Sequence, residues 1–177
     1  MEIALREWPK DDWRSYEFEA LWRLDQECFP SGVSYTRAEL ASYIGADRSF
    51  TYVAEKLSRD SVKDLPSNSL SKGLQPTSLE SRILGFIIAE ASRRGIGHII
   101  TIDVSPKARR LGTGSKLLTS AEQRLRTEKC HNVRLETAVD NLSALTFYKR
   151  HGYHVMKTVP RYYSNGIDAL VLEKSLG

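Results

Sequence analysis

The chain has 177 residues, of which 41% are hydrophobic and 27% charged, and its 26 Lys and Arg against 22 Asp and Glu leave a formal net charge of +4. Such a length suits one domain with a substantial core, and such fractions are those of an ordinary globular chain. No apolar run approaches the roughly 18 residues of a membrane span. The first residues lack the basic-then-apolar build of a signal peptide, so the expected compartment is the cytoplasm, with no membrane partner.

Basic charges are dispersed rather than run together, which argues against nucleic acid as a partner; a phosphorylated ligand or an acidic partner accounts for the balance equally well. Cys28 and Cys130 lie far apart in no redox or metal-ligand spacing and read as buried free thiols. His98, His131, His151 and His154 also lack zinc-site spacing, so no metal is expected.

Taken in order, Glu2 to Trp8 alternates as a first strand. Pro9 stops it, and Asp11 or Asp12 can cap the next helix. Phe18, Leu21, Leu24, Asp25 and Cys28 then fall at helical spacing within Trp13–Cys28, one stripe with a polar intruder. After the break at Phe29-Pro30-Ser31-Gly32, Thr36-Arg37-Ala38-Glu39 is a capping box. It opens a short helix that runs to about Ile44, with Gly45 as its stop. Ser49–Lys56 is rich in aromatic and β-branched residues and reads as a strand. Residues 57–81 change to Ser, Asp, Lys, Pro and Asn, longer than the roughly 12–15 residues of an ordinary connection. They are expected to form a flexible insertion in a hairpin of one domain spanning 1–177.

Ile83–Ala91 and Gly97–Val104 read as strands about an Arg93-Arg94-Gly95 turn. Ser115–Glu128 is an amphipathic helix, Asn132–Ala138 a strand, and Asn141–His151 a helix ended by Gly152. Tyr153–Val159 and Ile167–Glu173 close the chain as strands about an Asn165-Gly166 turn. The expected order is β α α β β β α β α β β, a mixed α/β sheet with helices on its faces.

The stretch from Ile99 to Leu118 passes from a β-branched strand through Ser105-Pro106 and a basic glycine loop directly into a helix. Free N–H groups at a helix start, helped by the macrodipole, form a site for phosphate. Gly112 and Gly114 permit close approach of backbone, and Arg109 and Arg110 add fixed charge. The Walker pattern fails, because Ser115-Lys116 follows Gly114, and the dinucleotide fingerprint fails at Leu117. What remains, Arg109-x-x-Gly112-x-Gly114 after Val104-x-Pro106, stands beside a second constellation: Leu135-Glu136-Thr137, Asn141-x-x-Ala144-x-x-x-Tyr148 and Gly152-Tyr153.

Residue by residue, these allow bland or chemical readings. Val133, Leu135 and Thr137 share one strand face, and Arg134, Glu136 and Ala138 the other. Glu136 is a solvated outward residue, a partner of Arg134 on a half-exposed face, or a general base. Asn141, Ala144 and Tyr148 share one helix stripe, as core or as the border of a polar ligand.

Together the two constellations resemble the GNAT acetyltransferase superfamily, and among its subtypes most of all the RimI-like protein N-terminal acetyltransferases, which modify protein α-amino groups including a ribosomal protein's. The resemblance spans Ile83 to Lys174 well and Trp13 to Lys56 more loosely. It implies the GNAT fold, a mostly antiparallel central sheet with helices on both faces. It implies acetyl-CoA as co-substrate, its pyrophosphate held by Arg109, Arg110, Leu111, Gly112, Thr113, Gly114 and Ser115. Backbone amides of Ile102, Asp103 and Val104 would serve the acetyl carbonyl and pantetheine, with Asn141 and Ala144 beside that arm. Glu136 would act as base, and Tyr148 would protonate the departing thiolate. Phe29, Tyr35, Tyr162 and Tyr163 are placed to grip the acceptor. Asp103 departs from the apolar residue of bacterial members, and strand alternation allows its carboxylate to turn away. The implied activity is direct acetyl transfer to a primary amine, a protein α-amine first. The alternatives are a small-molecule amine or a non-catalytic acyl-CoA-binding module.

Overall fold

The computed structural model describes residues 2–12, 15–57 and 82–177. The insertion expected at 57–81 falls, but for Leu57, outside the described residues, as does Trp13.

Seven strands form one sheet in the order β1-β2-β3-β4-β5-β7-β6. They are β1 (Ile3–Glu7), β2 (Ser49–Lys56), β3 (Ile83–Ala91), β4 (Ile96–Val104), β5 (Asn132–Ala138), β6 (His154–Val159) and β7 (Ala169–Ser175). Neighbours run antiparallel except β4 and β5, which are parallel. Four helices join them: α1 (Tyr16–Cys28), α2 (Arg37–Gly45), α3 (Thr113–Thr127) and α4 (Leu142–Arg150). The order of elements and the mixed sheet match the sequence reading.

The helices cover both faces. On one, Leu117, Leu118, Ala121 and Leu125 of α3 and Tyr148 of α4 pack with Ile87, Ile99 and Leu135. On the other, Leu21 and Leu24 of α1 and Leu40 and Ile44 of α2 pack with Val53, Phe86 and Ile88. The α2 capping box is present, with both reciprocal bonds between Thr36 and Glu39. At α1 neither aspartate caps the helix. Ser15 does, its Oγ accepting from Phe18 N at 3.1 Å and donating to Asp12 O. A hydroxyl that can both accept and donate joins helix and preceding turn, which a carboxylate cannot. Gly45 is the last residue of α2 rather than its stop.

β3 and β4 approach closely at Gly85, where an added Cβ would lie 2.5 Å from Asp103 O. A backbone oxygen in a ladder cannot swing aside, so Gly85→Ala is expected to cost about 1–3 kcal/mol of stability by overpacking. Chemical denaturation of the variant measures it; an unchanged midpoint would show that the sheet yields there.

Candidate active site

The site begins where two strands part. β4 and β5 pair from Ile96 with Asn132 to Ile99 with Leu135. Beyond that point β4 remains paired to β3 and β5 to β7. Ser105 N donates to Leu84 O at 2.9 Å. Strand alternation therefore turns the N–H and C=O groups of Ile102 and Val104 to the opposite edge, into the opening toward β5. Val104 O is partly used, accepting from Arg109 Nε at 3.1 Å and facing Cys28 Sγ at 3.5 Å.

Below this edge, a 3₁₀ turn at Pro106–Ala108 leads to Arg110 and Gly112, both left-handed at φ 62° and 82°. Gly112 caps α3, so the helix starts at Thr113, two residues earlier than its apolar spacing suggests, and Gly114 lies in its first turn. Gly114 packs against α4 there, an added Cβ standing 3.4 Å from the Phe147 ring, at ordinary contact distance. Lys116 N is the first to bond back, to Gly112 O; the N–H groups of Thr113, Gly114 and Ser115 are the free ones of the first turn. Thr113 Oγ1 ties the turn to Ala108 O at 3.1 Å. The Arg109 guanidinium folds back to Val104 O and lies 3.9 Å from Cys28 Sγ; Arg110 beside it is exposed, as Arg109 itself is.

His151, which has no signal in sequence, braces this turn from α4. Its Nδ1 donates to Phe147 O at 2.8 Å, a bond that leaves Nε2 to accept from Ser115 Oγ at 3.0 Å. On the same helix Asn141 is the N-cap, its Oδ1 accepting from Ala144 N at 3.1 Å. Tyr148 is buried, and its hydroxyl bonds to no other described residue. Burial first, then Asp103 and Tyr163, push that hydroxyl well above the usual phenol range, so it stays protonated.

On the α1–α2 face of the opening, Glu136 Oε2 accepts from His98 Nε2 at 2.6 Å. This partner is not Arg134, which pairs instead with Glu173 directly across on β7. Tyr162 and Tyr163 stand within the field of Glu136, and Tyr35 within that of Tyr43, Tyr162 and Tyr163. Tyr35 contacts Tyr43 edge to face at 5.1 Å and donates its hydroxyl to Ile100 O at 3.2 Å. The two flanking loops touch where Ser164 Oγ donates to Gly32 O at 3.1 Å. A Cβ on Gly32 would lie 2.8 Å from Asn165 Cβ, so glycine there lets them meet. Phe29 caps α1 through Asp25 O and makes no ring contact with the tyrosines among the described residues. Asp103 is turned away from the opening and fully buried against α1, its Oδ2 accepting from Thr101 Oγ1.

The arrangement offers an anion-binding helix start, a free strand edge, a buried phenol and a hydrogen-bonded carboxylate, all around one opening. No group of three His, Cys, Asp or Glu that could hold a metal occurs among the described residues, and none of their helices is long and apolar enough to cross a membrane.

Residues 3–153 match the acetyltransferase (GNAT) family. An uncharacterised N-acetyltransferase of Methanocaldococcus jannaschii is 36% identical over 97 residues, 54% of this chain and 62% of that protein. N-alpha-acetyltransferase 20 of Dictyostelium discoideum is 34% identical over 99 residues, 52% of this chain and 56% of that protein. The chain thus spans about three fifths of the length of these curated relatives. The ribosomal-protein-S18-alanine N-acetyltransferase of Escherichia coli shares the fold at a TM-score of 0.73 and 16% identity, over 99% of this chain and 95% of that one.

Proposed function

The chain belongs to the acetyltransferase (GNAT) family, and from that premise we propose that it transfers the acetyl group of acetyl-CoA directly to a primary amine. The acceptor we propose is a protein N-terminal α-amine. The observation that carries this reading is the placement of Glu136 and Tyr148 about the opening where β4 leaves β5.

The coenzyme's pyrophosphate is received by the free amides of Thr113, Gly114 and Ser115, with Arg110 at the rim. Its pantetheine arm runs along the Ile102–Val104 edge, whose N–H groups hydrogen-bond it and hold the thioester oxygen as negative charge develops. Ala144 leaves room beside that arm, and Asn141 fixes the helix that flanks it. An ammonium cannot attack a thioester until it loses a proton. Glu136 takes it, directly or through a water, while His98 fixes the carboxylate by holding Oε2. As the C–S bond breaks, the leaving sulfur receives the proton that Tyr148 keeps.

Arg109 joins the end of β4 to α1 and so holds the pyrophosphate loop from behind. Tyr35, Tyr162 and Tyr163 wall the acceptor's path, with Phe29 at its α1 end. The lip is aromatic and open, Tyr162 being 49% and Tyr43 37% exposed, which suits an extended chain terminus. Within the family this is a RimI-like reading: one acetyltransferase domain acting in the cytoplasm, where ribosomal and other proteins present such termini.

The test incubates the purified chain with acetyl-CoA and a panel of N-terminal peptides, with polyamines and aminoglycosides as small amines, and follows free thiol. Thiol release with peptides is the expected result. Release with small amines alone would move the acceptor to that class, and coenzyme binding without any release would leave a binding module.

A further inference from the structure

His151 joins α4 to the first turn of α3 through both of its ring nitrogens. Nδ1 lies 2.8 Å from Phe147 O, and Nε2 lies 3.0 Å from Ser115 Oγ. The Phe147 ring, with its centroid 4.4 Å from that of the imidazole, holds the ring in place and backs Gly114 on its other side. A carbonyl oxygen can only accept, so Nδ1 carries the proton, and in the neutral imidazole Nε2 can only accept. The single proton of the Ser115 hydroxyl is then committed to His151. What that oxygen still offers a ligand at the free amides of Thr113, Gly114 and Ser115 is lone pairs, which repel a phosphate oxygen.

A second proton on the ring reverses this. In the imidazolium both nitrogens donate, so Nε2 gives a hydrogen bond to Ser115 Oγ and the hydroxyl is free to turn its own proton outward. The ring is half-buried, which leaves it open to protons from water. As the C-cap of α4 it stands among the helix's last carbonyls, where a cation is well placed. The charged side chains on the elements around it are Lys149 and Arg150 in the last turn of α4, Lys116 on α3, Arg109 and Arg110 in the loop, and Lys174 with Glu122 between β7 and α3. Lys116 is drawn to Ile3 O at 3.4 Å, Arg109 to Val104 O at 3.1 Å, and Glu122 is taken up by Lys174 at 2.7 Å. No carboxylate pairs with His151 among the described residues, so a free negative charge arrives there only with a ligand.

We propose that His151 is a positioning residue for the coenzyme: the bound pyrophosphate draws a proton onto Nε2, and the imidazolium turns the Ser115 hydroxyl to a phosphate oxygen. The proposal rests on the reading of the α3 start as the pyrophosphate site. The proton comes from water, and no bond of the coenzyme changes. By linkage, a ligand that is bound more tightly by the protonated ring makes that ring titrate at higher pH when the ligand is present. Coenzyme affinity therefore gains from His151 as pH falls through the range in which imidazoles titrate, about 5 to 8.

NMR titration of the full chain, with the imidazole signals assigned through the backbone, follows His151 free and saturated with coenzyme A. The neutral ring is expected as the Nδ1–H tautomer. Its midpoint is expected to rise by about one pH unit on saturation, which equals about tenfold tighter binding by the protonated form. Calorimetry gives a second readout. From about pH 8 to about pH 5, the ratio of wild-type affinity for coenzyme A to that of His151→Gln is expected to grow about tenfold. The coenzyme's own phosphate monoester titrates in this range but does so in both chains, so the ratio isolates His151. At the low end of that range the losses in Ser115→Ala and His151→Gln are expected not to add, because each breaks the same relay. A His151 midpoint unmoved by bound coenzyme overturns the proton uptake, and additive losses in the double variant overturn the relay through Ser115. Failure of the wild type to bind coenzyme A at any pH would instead remove the pyrophosphate reading, and this inference with it.

Discussion

Glu136→Gln lowers kcat by about 10²–10⁴-fold, the range that a positioned general base contributes, and leaves coenzyme affinity where it was. Gln keeps the size of Glu and can still offer an amide oxygen to His98 Nε2, 2.6 Å away in the parent. It cannot take a proton from an ammonium. No other described carboxylate replaces it from the same strand, since Glu136 is the one acidic side chain of β5. The coenzyme's proposed contacts, on the first turn of α3 and the β4 edge, do not touch this side chain. Were His98 the base and Glu136 merely its orienting partner, the variant would retain a base and lose about tenfold or less. Steady-state kcat with a peptide acceptor, beside calorimetric binding of coenzyme, separates these outcomes. A loss confined to coenzyme binding would remove Glu136 from the chemistry altogether.

That comparison turns on a contact the sequence does not display. Glu136 is visible as a carboxylate on a strand whose other face, Val133, Leu135 and Thr137, is buried as its alternation predicts. Its two local candidates for a partner were Arg134 and solvent. The partner is instead 38 residues away, because β4 and β5 pair in a register that sets His98 beside Arg134 and thus one step from Glu136 along the same face. Register between strands separated by a helix is fixed by packing, and no local residue pattern encodes it. Arg134 is claimed by Glu173 through the antiparallel β5–β7 register for the same reason.

Features written in single segments were legible: the α2 capping box, the strand-loop-helix at Gly112, the β3–β4 hairpin and the whole order of elements. The start of α3 was misplaced because Gly112 and Gly114 look alike in sequence. Only the first adopts a positive φ, at 82°, and the second is helical. Asp103 reads as a polar residue at an apolar place. Strand alternation sends it to the α1 face, where its burial depends on how a distant helix packs.

Gly112→Asp is expected to weaken coenzyme binding by about 10²-fold while the fold survives. At φ 82° the residue sits in the left-handed region, and an added Cβ has nothing within 4 Å. The variant therefore pays only backbone strain, about 1–2 kcal/mol for an L-residue and less for Asp. Its carboxylate, however, lies beside the free amides of Thr113, Gly114 and Ser115, where the pyrophosphate is proposed to bind. One unit of like charge at ~6 Å and an effective dielectric of about 20 opposes a phosphate by about 3 kcal/mol, which is about 10²-fold. Gly112→Ala carries the strain without the charge, so its loss is smaller, and the difference between the two isolates the electrostatic part. Salt screens an exposed pair of this kind. Binding of coenzyme to Gly112→Asp should therefore approach that of Gly112→Ala as ionic strength rises. Equal weakening in the two variants at low salt would mean that backbone shape, and not the positive field of the α3 N-terminus, selects the phosphate there.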